Sequence, residues 1–89
     1  MKPKVVLADD HTIVTEGLKA LLQPEFQVVA TVNNGRAAIK AVQDFSPAVI
    51  VLDISMPQLN GIDTAREIRK FAPKVKIVFL TMHTELAYV

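Results

Sequence analysis

An α/β fold with a doubly wound parallel sheet is what this sequence predicts, and three observations predict it. Four short apolar runs rich in β-branched residues, at 5–8, 26–32, 48–52 and 75–80, alternate with amphipathic segments of helical period. The runs at 5–8 ("VVLA") and 48–52 ("AVIVL") are apolar throughout, as strands covered on both faces are. Polar side chains then cluster where three of the runs stop: Asp9 and Asp10 after the first, Asp53 after the third, Thr81 after the fourth.

Each element has its own signal. After the two acids, Ile13, Val14, Gly17, Leu18, Leu21 and Leu22 recur at helical spacing, with Thr12 as the expected cap and Pro24 as the stop. The second strand follows, and Asn33-Asn34-Gly35 reads as a turn, since the glycine spacing of a phosphate loop is absent. A second helix is expected over 36–45, with Ala38, Ile39, Ala41, Val42 and Phe45 inward, until Ser46-Pro47 breaks it. The third strand ends at Asp53, and the loop "ISMPQLNG" leads to a third helix over 62–71, with Ile62, Ala65, Ile68 and Phe71 on one side. Pro73 stops that helix, a fourth strand runs to Leu80, and a new helix is expected from Thr84. Parallel strands joined by right-handed helical crossovers put helices on both faces. The order expected is 2-1-3-4, that of the doubly wound class.

Composition narrows the function. With 89 residues, 51% of them apolar, the chain is sized for a single domain, 1–89. Ten basic and nine acidic residues are scattered without a block of like charge, so no nucleic-acid or membrane partner is expected for this chain itself. The absence of cysteine excludes disulfides, zinc-thiolate sites and thiol catalysis together. No signal-peptide core and no membrane-length apolar stretch is present, and a cytoplasmic location is expected.

Chemistry is expected at the carboxyl ends of the strands, where ligands of open α/β sheets sit. In the order 2-1-3-4 the first and third strands are neighbours, which brings Asp9, Asp10 and Asp53 together. Two carboxylates about 5 Å apart repel by roughly 3 kcal/mol at an effective dielectric near 20. Either one of them is protonated or a divalent cation neutralises the group, and an all-oxygen cluster suits magnesium (Mg2+). Two adjacent acids could then hold the ion while Asp53 attacks a phosphoryl group.

The stretches "VVLADDH", "VIVLDISMPQLNGID" and "IVFLTMHTE" together resemble the receiver domain of bacterial two-component response regulators, in particular the subfamily with a LuxR-type helix-turn-helix output domain. The resemblance spans the chain and implies a flavodoxin-like fold. It implies that Asp53 is the phospho-acceptor for a sensor histidine kinase. Asp10, Asp53 and the backbone carbonyl of Ser55 would bind Mg2+, with Asp9 assisting through a water. Thr81 would be the switch hydroxyl, and Pro57 and Gly61 would shape the loop after the acceptor. The chain would be a regulatory domain rather than an enzyme, catalysing at most its own phosphotransfer and dephosphorylation.

Members of the family also have a fifth strand ending in a lysine, an aromatic switch residue and a fifth helix, and this chain stops before all three. Two expectations follow: a truncated receiver that self-associates through the fourth-strand edge or by segment exchange, and weak or uncoupled phosphorylation. A pseudo-receiver acting as an interaction or dimerisation module is therefore the alternative. A haloacid-dehalogenase-type phosphatase fits poorly, because the second acid it needs two residues after the nucleophile is Ser55 here. Simpler roles stand beside these: Asp10 as a cap of the first helix, Thr81 as an ordinary strand residue, Met56 and Met82 as loop packing. His11 and His83 are read as loop residues on the rim of the site and not as ligands.

Overall fold

Strands this apolar need cover on both faces, and the helices between them supply it for the central pair. The computed structural model describes residues 2–56 and 59–80. Seven elements alternate along them: β1 (Lys4–Ala8), α1 (Thr12–Leu22), β2 (Gln27–Val32), α2 (Gly35–Phe45), β3 (Val49–Asp53), α3 (Gly61–Phe71) and β4 (Lys76–Leu80). All strands are parallel, in the order β2-β1-β3-β4. This is the parallel sheet expected from the alternation, in the flavodoxin-like arrangement that the resemblance implies. The helix expected from Thr84 lies outside the described residues.

The pleat divides the strand residues between two faces. Val6 and Ala8 of β1 and Ile50 and Leu52 of β3 join Ala38, Ala41 and Val42 of α2 and Ala65 and Ile68 of α3 in one core. Met56, expected only to pack in its loop, is buried in that core. Val5 and Leu7 point to the other face, where the opposite sense of the β1-to-β2 crossover places α1. A fully buried Leu or Ile contributes about 1.5–3 kcal/mol, so Leu7, Ile50, Leu52 and Ile68, all fully buried, outweigh any single surface contact.

Helix ends are set by local chemistry. Asn34, expected in a turn, also caps α2: its Oδ1 accepts from the Ala37 amide at 2.8 Å. Asn60 does the same for α3, accepting from Asp63 at 2.9 Å. Ser46 closes α2 in the left-handed region, at φ 47°, ahead of Pro47. For α1 the expected Thr12 cap is corrected. His11 holds the capping position without a side-chain cap bond, and Thr12 is already helical; Asp10 makes no cap bond either.

Apolar positions on all three helices are less buried than their spacing suggests. Ile13 is 88% and Leu21 76% exposed on α1, so helical spacing located that helix without burying its stripe. Phe45 at the end of α2, expected inward, and Ile62 and Phe71 at the two ends of α3 are 39%, 46% and 42% exposed. Thr64, which sequence periodicity passes over, is fully buried, its hydroxyl donating to the Leu59 carbonyl at 3.3 Å.

Candidate functional site

Register, more than sequence distance, assembles the site. Ala8 pairs with Leu52 across β1 and β3, so the next residues, Asp9 and Asp53, stand level where adjacent strands about 4.8 Å apart run out. Asp10 and His11 follow in the connection to α1. Asp9, Asp10, His11 and Asp53 each present a ligand-type atom within 4.8 Å of those of the others.

Backbone amides orient two of the carboxylates. Asp9 donates its own N–H to the Val32 carbonyl at 3.0 Å, and its Oδ1 accepts from the His11 amide at 2.8 Å. Asp53 Oδ1 accepts from the Ser55 amide at 3.1 Å. These are turns closed by an aspartate on the amide two residues on. The second oxygens, Asp9 Oδ2 and Asp53 Oδ2, are buried without a hydrogen-bond partner among the described residues. Leaving such an atom unsatisfied costs about 1–3 kcal/mol each, and a cation between them removes that penalty.

Electrostatics points the same way. Burial pushes the Asp53 carboxyl above its ordinary range; the Ser55 amide opposes this, while the charges of Asp9 and Asp10 add to it. His11 is held above the usual histidine value, first by its hydrogen bond to Asp9 and then by the charge of Asp10. Among the described residues the cluster thus pairs three acids with one imidazole, and the acids are the natural ligands of a hard divalent ion.

The structure brings Asp9, Asp10 and Asp53 together. Ser55 follows in the bend after β3, and Gly61 begins α3 directly behind Asp53. Thr81 and Pro57 lie outside the described residues, as do Met82 and His83. His11 stands on the exposed rim as expected, but Asp9 turns its ring towards the acids, a contact that sequence reasoning missed. Its Nδ1 lies 2.8 Å from Asp9 Oδ1, 3.1 Å from Asp10 Oδ1 and 3.6 Å from Asp53 Oδ2. The signal that could have found it is the Asp-x-His spacing, which lets one carboxylate bind both the amide and the ring of the residue two positions on.

The chain is similar to known proteins over nearly its whole length. The transcriptional regulatory protein DegU of Brevibacillus brevis is 39% identical over 99% of this chain, a match that covers 38% of DegU. The signal receiver domain of the putative response regulator NarL from Mycobacterium tuberculosis superposes with a TM-score of 0.88 at 30% identity, over 99% of this chain and 73% of that one. A LuxR-family two-component response regulator from Aurantimonas sp. gives 0.87 at 31% identity, over 99% and 64%. The chain spans about two fifths of the length of the curated relatives it matches. No helix among the described residues is long and apolar enough to cross a membrane. Matched by the response regulator receiver domain model from residue 5 to residue 89, the chain belongs to that family, whose members take their signals from histidine kinases in two-component systems.

Proposed function

We propose that Asp53 accepts a phosphoryl group from a sensor histidine kinase and that this chain relays it as a conformational change. The observation that carries the reading is the convergence of Asp9, Asp10 and Asp53 at the ends of two adjacent strands, with an orphaned oxygen on each of the two buried acids. Asp53 attacks the phosphorus, a P–O bond forms as the P–N bond of the phosphohistidine breaks, and the kinase imidazole leaves with a proton. Asp10, Asp53 and the Ser55 carbonyl would hold Mg2+, with Asp9 reaching it through a water. When bound, the ion supplies the positive charge that lets the carboxylates and the incoming phosphoryl oxygens share one site.

Pre-organisation supports the reading. The Ser55 amide fixes one Asp53 oxygen, and Gly61 lets the start of α3 press against the Asp53 backbone, so the nucleophile has little freedom to turn away. The added charge of about 1.5–2 units would then act on the neighbouring end of β4, with Thr81 as the switch hydroxyl. In this reading the chain is a cytoplasmic regulatory module, not an enzyme with a separate substrate. In the whole protein it would govern a DNA-binding output, as the names of the transcriptional regulators among its relatives suggest.

Acetyl phosphate and Mg2+ test the acceptor. Intact mass should rise by one phosphoryl group, and Asp53→Asn should abolish the gain. Labelling that persists in that variant would place the acceptor elsewhere.

A second reading, self-association, is favoured by one observation. Among the described residues β4 pairs with β3 alone, and its Val78 and Phe79 are substantially exposed. Light scattering across a concentration series decides it: a monomer throughout removes the idea, and a dimer that Val78→Lys disperses supports it.

A further inference from the structure

His11 is the group in the cluster that the phospho-acceptor reading leaves without a role. One N–H can be directed at one acceptor, and the 2.8 Å contact with Asp9 would account for it. Yet the same nitrogen also stands 3.1 Å from Asp10 and 3.6 Å from Asp53. A single ring atom facing three separate carboxylates is more than a hydrogen bond requires. Metal–ligand bonds of about 2.1 Å put neighbouring ligands about 3.0 Å apart in an octahedron and about 3.4 Å apart in a tetrahedron. The separations to Asp10 Oδ1 and Asp53 Oδ2, 3.1 and 3.6 Å, fall around those values.

We propose that His11 is a metal ligand in this site: its Nδ1 joins one oxygen each from Asp10 and Asp53 around a single divalent ion, with Asp9 behind them through a water, and this nitrogen tilts selectivity from Mg2+ towards transition ions. The proposal rests on the reading that the acid cluster holds a divalent cation. Two further observations support it. Asp9 Oδ2 and Asp53 Oδ2 are buried and unpartnered among the described residues, so the cluster has coordination capacity that these donors leave unused. The amides of His11 and Ser55 already fix the other oxygens of the same two acids, which is the outer-shell support that ligating carboxylates have.

Ligand chemistry sets the direction of the effect. Oxygen donors suit Mg2+, while an imidazole nitrogen adds far more to the binding of Zn2+ and its neighbours. A cluster of three carboxylates and one imidazole therefore ranks Zn2+ and Mn2+ above Mg2+ by a wider margin than carboxylates alone would. Removing the ring should shrink that margin and leave Mg2+ binding nearly as it was.

The test is Mn2+ binding to the 89-residue chain followed by pulsed electron paramagnetic resonance, with His11→Ala, His83→Ala and Asp10→Asn chains alongside. The expected result is one Mn2+ site whose echo carries nitrogen-14 modulation, kept in His83→Ala and lost in His11→Ala. Zn2+ affinity should fall at least about tenfold in His11→Ala, with Mg2+ affinity changed less than about threefold. The measurements on the unaltered chain and on His83→Ala need no fold-sensitive change at the cluster. Mn2+ bound without nitrogen modulation, but lost in Asp10→Asn, overturns the role of His11 and leaves the cation site standing. No Mn2+ binding by the unaltered chain overturns both.

Discussion

Gly61 abuts the backbone of Asp53. A Cβ added there would lie 2.5 Å from the Asp53 carbonyl oxygen and 2.8 Å from the Ile54 Cα, and the Gly61 amide donates to the Ile54 carbonyl at 2.9 Å. The start of α3 and the end of β3 are thus fitted together with no room for a methyl group. Because the obstructing atoms are backbone, no side chain can swing aside. Gly61→Ala should cost about 1–3 kcal/mol, read as a lower urea midpoint, and should reduce Asp53 labelling further than the stability loss explains. An unchanged midpoint would mean that the two segments are not packed as described.

The charges in the cluster make stability depend on pH. His11 titrates above its ordinary value of 6.5 in the folded chain, so its contribution is complete below about 6.5 and is lost as pH rises through the raised value. Asp53 is raised above 3.8, so the fold favours its protonated form, and that contribution is lost as pH rises from 3.8 through the raised value. Both signs agree. In EDTA, thermal unfolding should occur at a lower temperature at pH 8 than at pH 6, and His11→Ala should flatten the part of the slope above about 6.5. A midpoint that climbs over this range would contradict the assigned directions.

Asp53→Asn should stabilise the chain when divalent ions are absent. It removes a buried charge from the group of three carboxylates, each pair repelling by up to roughly 3 kcal/mol. A gain of about 1–2 kcal/mol in EDTA is expected, since the amide keeps the shape and still accepts from Ser55. Added Mg2+ should raise the midpoint of the unaltered chain and leave that of Asp53→Asn nearly unmoved. Equal shifts in both would show the ion binding elsewhere.

The asparagine caps offer a separate check on the fold. Asn34→Ala and Asn60→Ala each remove one bond to an otherwise orphaned helix amide, costing about 1 kcal/mol apiece. The caps serve different helices, so the double variant should show additive losses in chemical denaturation. Strong non-additivity would reveal coupling between α2 and α3 through the Gly35 contact, where an added Cβ would meet the Thr64 hydroxyl and the Leu59 carbonyl.

What the chain determined by itself was local. Period-2 and period-3.6 patterns are written into consecutive residues, so the strands at Val5, Ile50 and Ile77 and the helices around Leu18, Ala41 and Ile68 were legible, along with acids standing where strands stop. Once the expected strand order set those acids together, the cost of like charges made a cation the expectation. Tertiary structure decided whatever depends on register and on which faces are covered. Ala8 beside Leu52 sets Asp9 level with Asp53, Ile13 and Leu21 stay exposed despite their spacing, and Thr64 is buried because α2 and α3 meet over it. It also decided His11, whose ring reaches Asp53 only because β1 and β3 are neighbours. No local pattern encodes a contact between residues 42 positions apart; that distance is closed by sheet pairing, whose free energy is spread over the whole core.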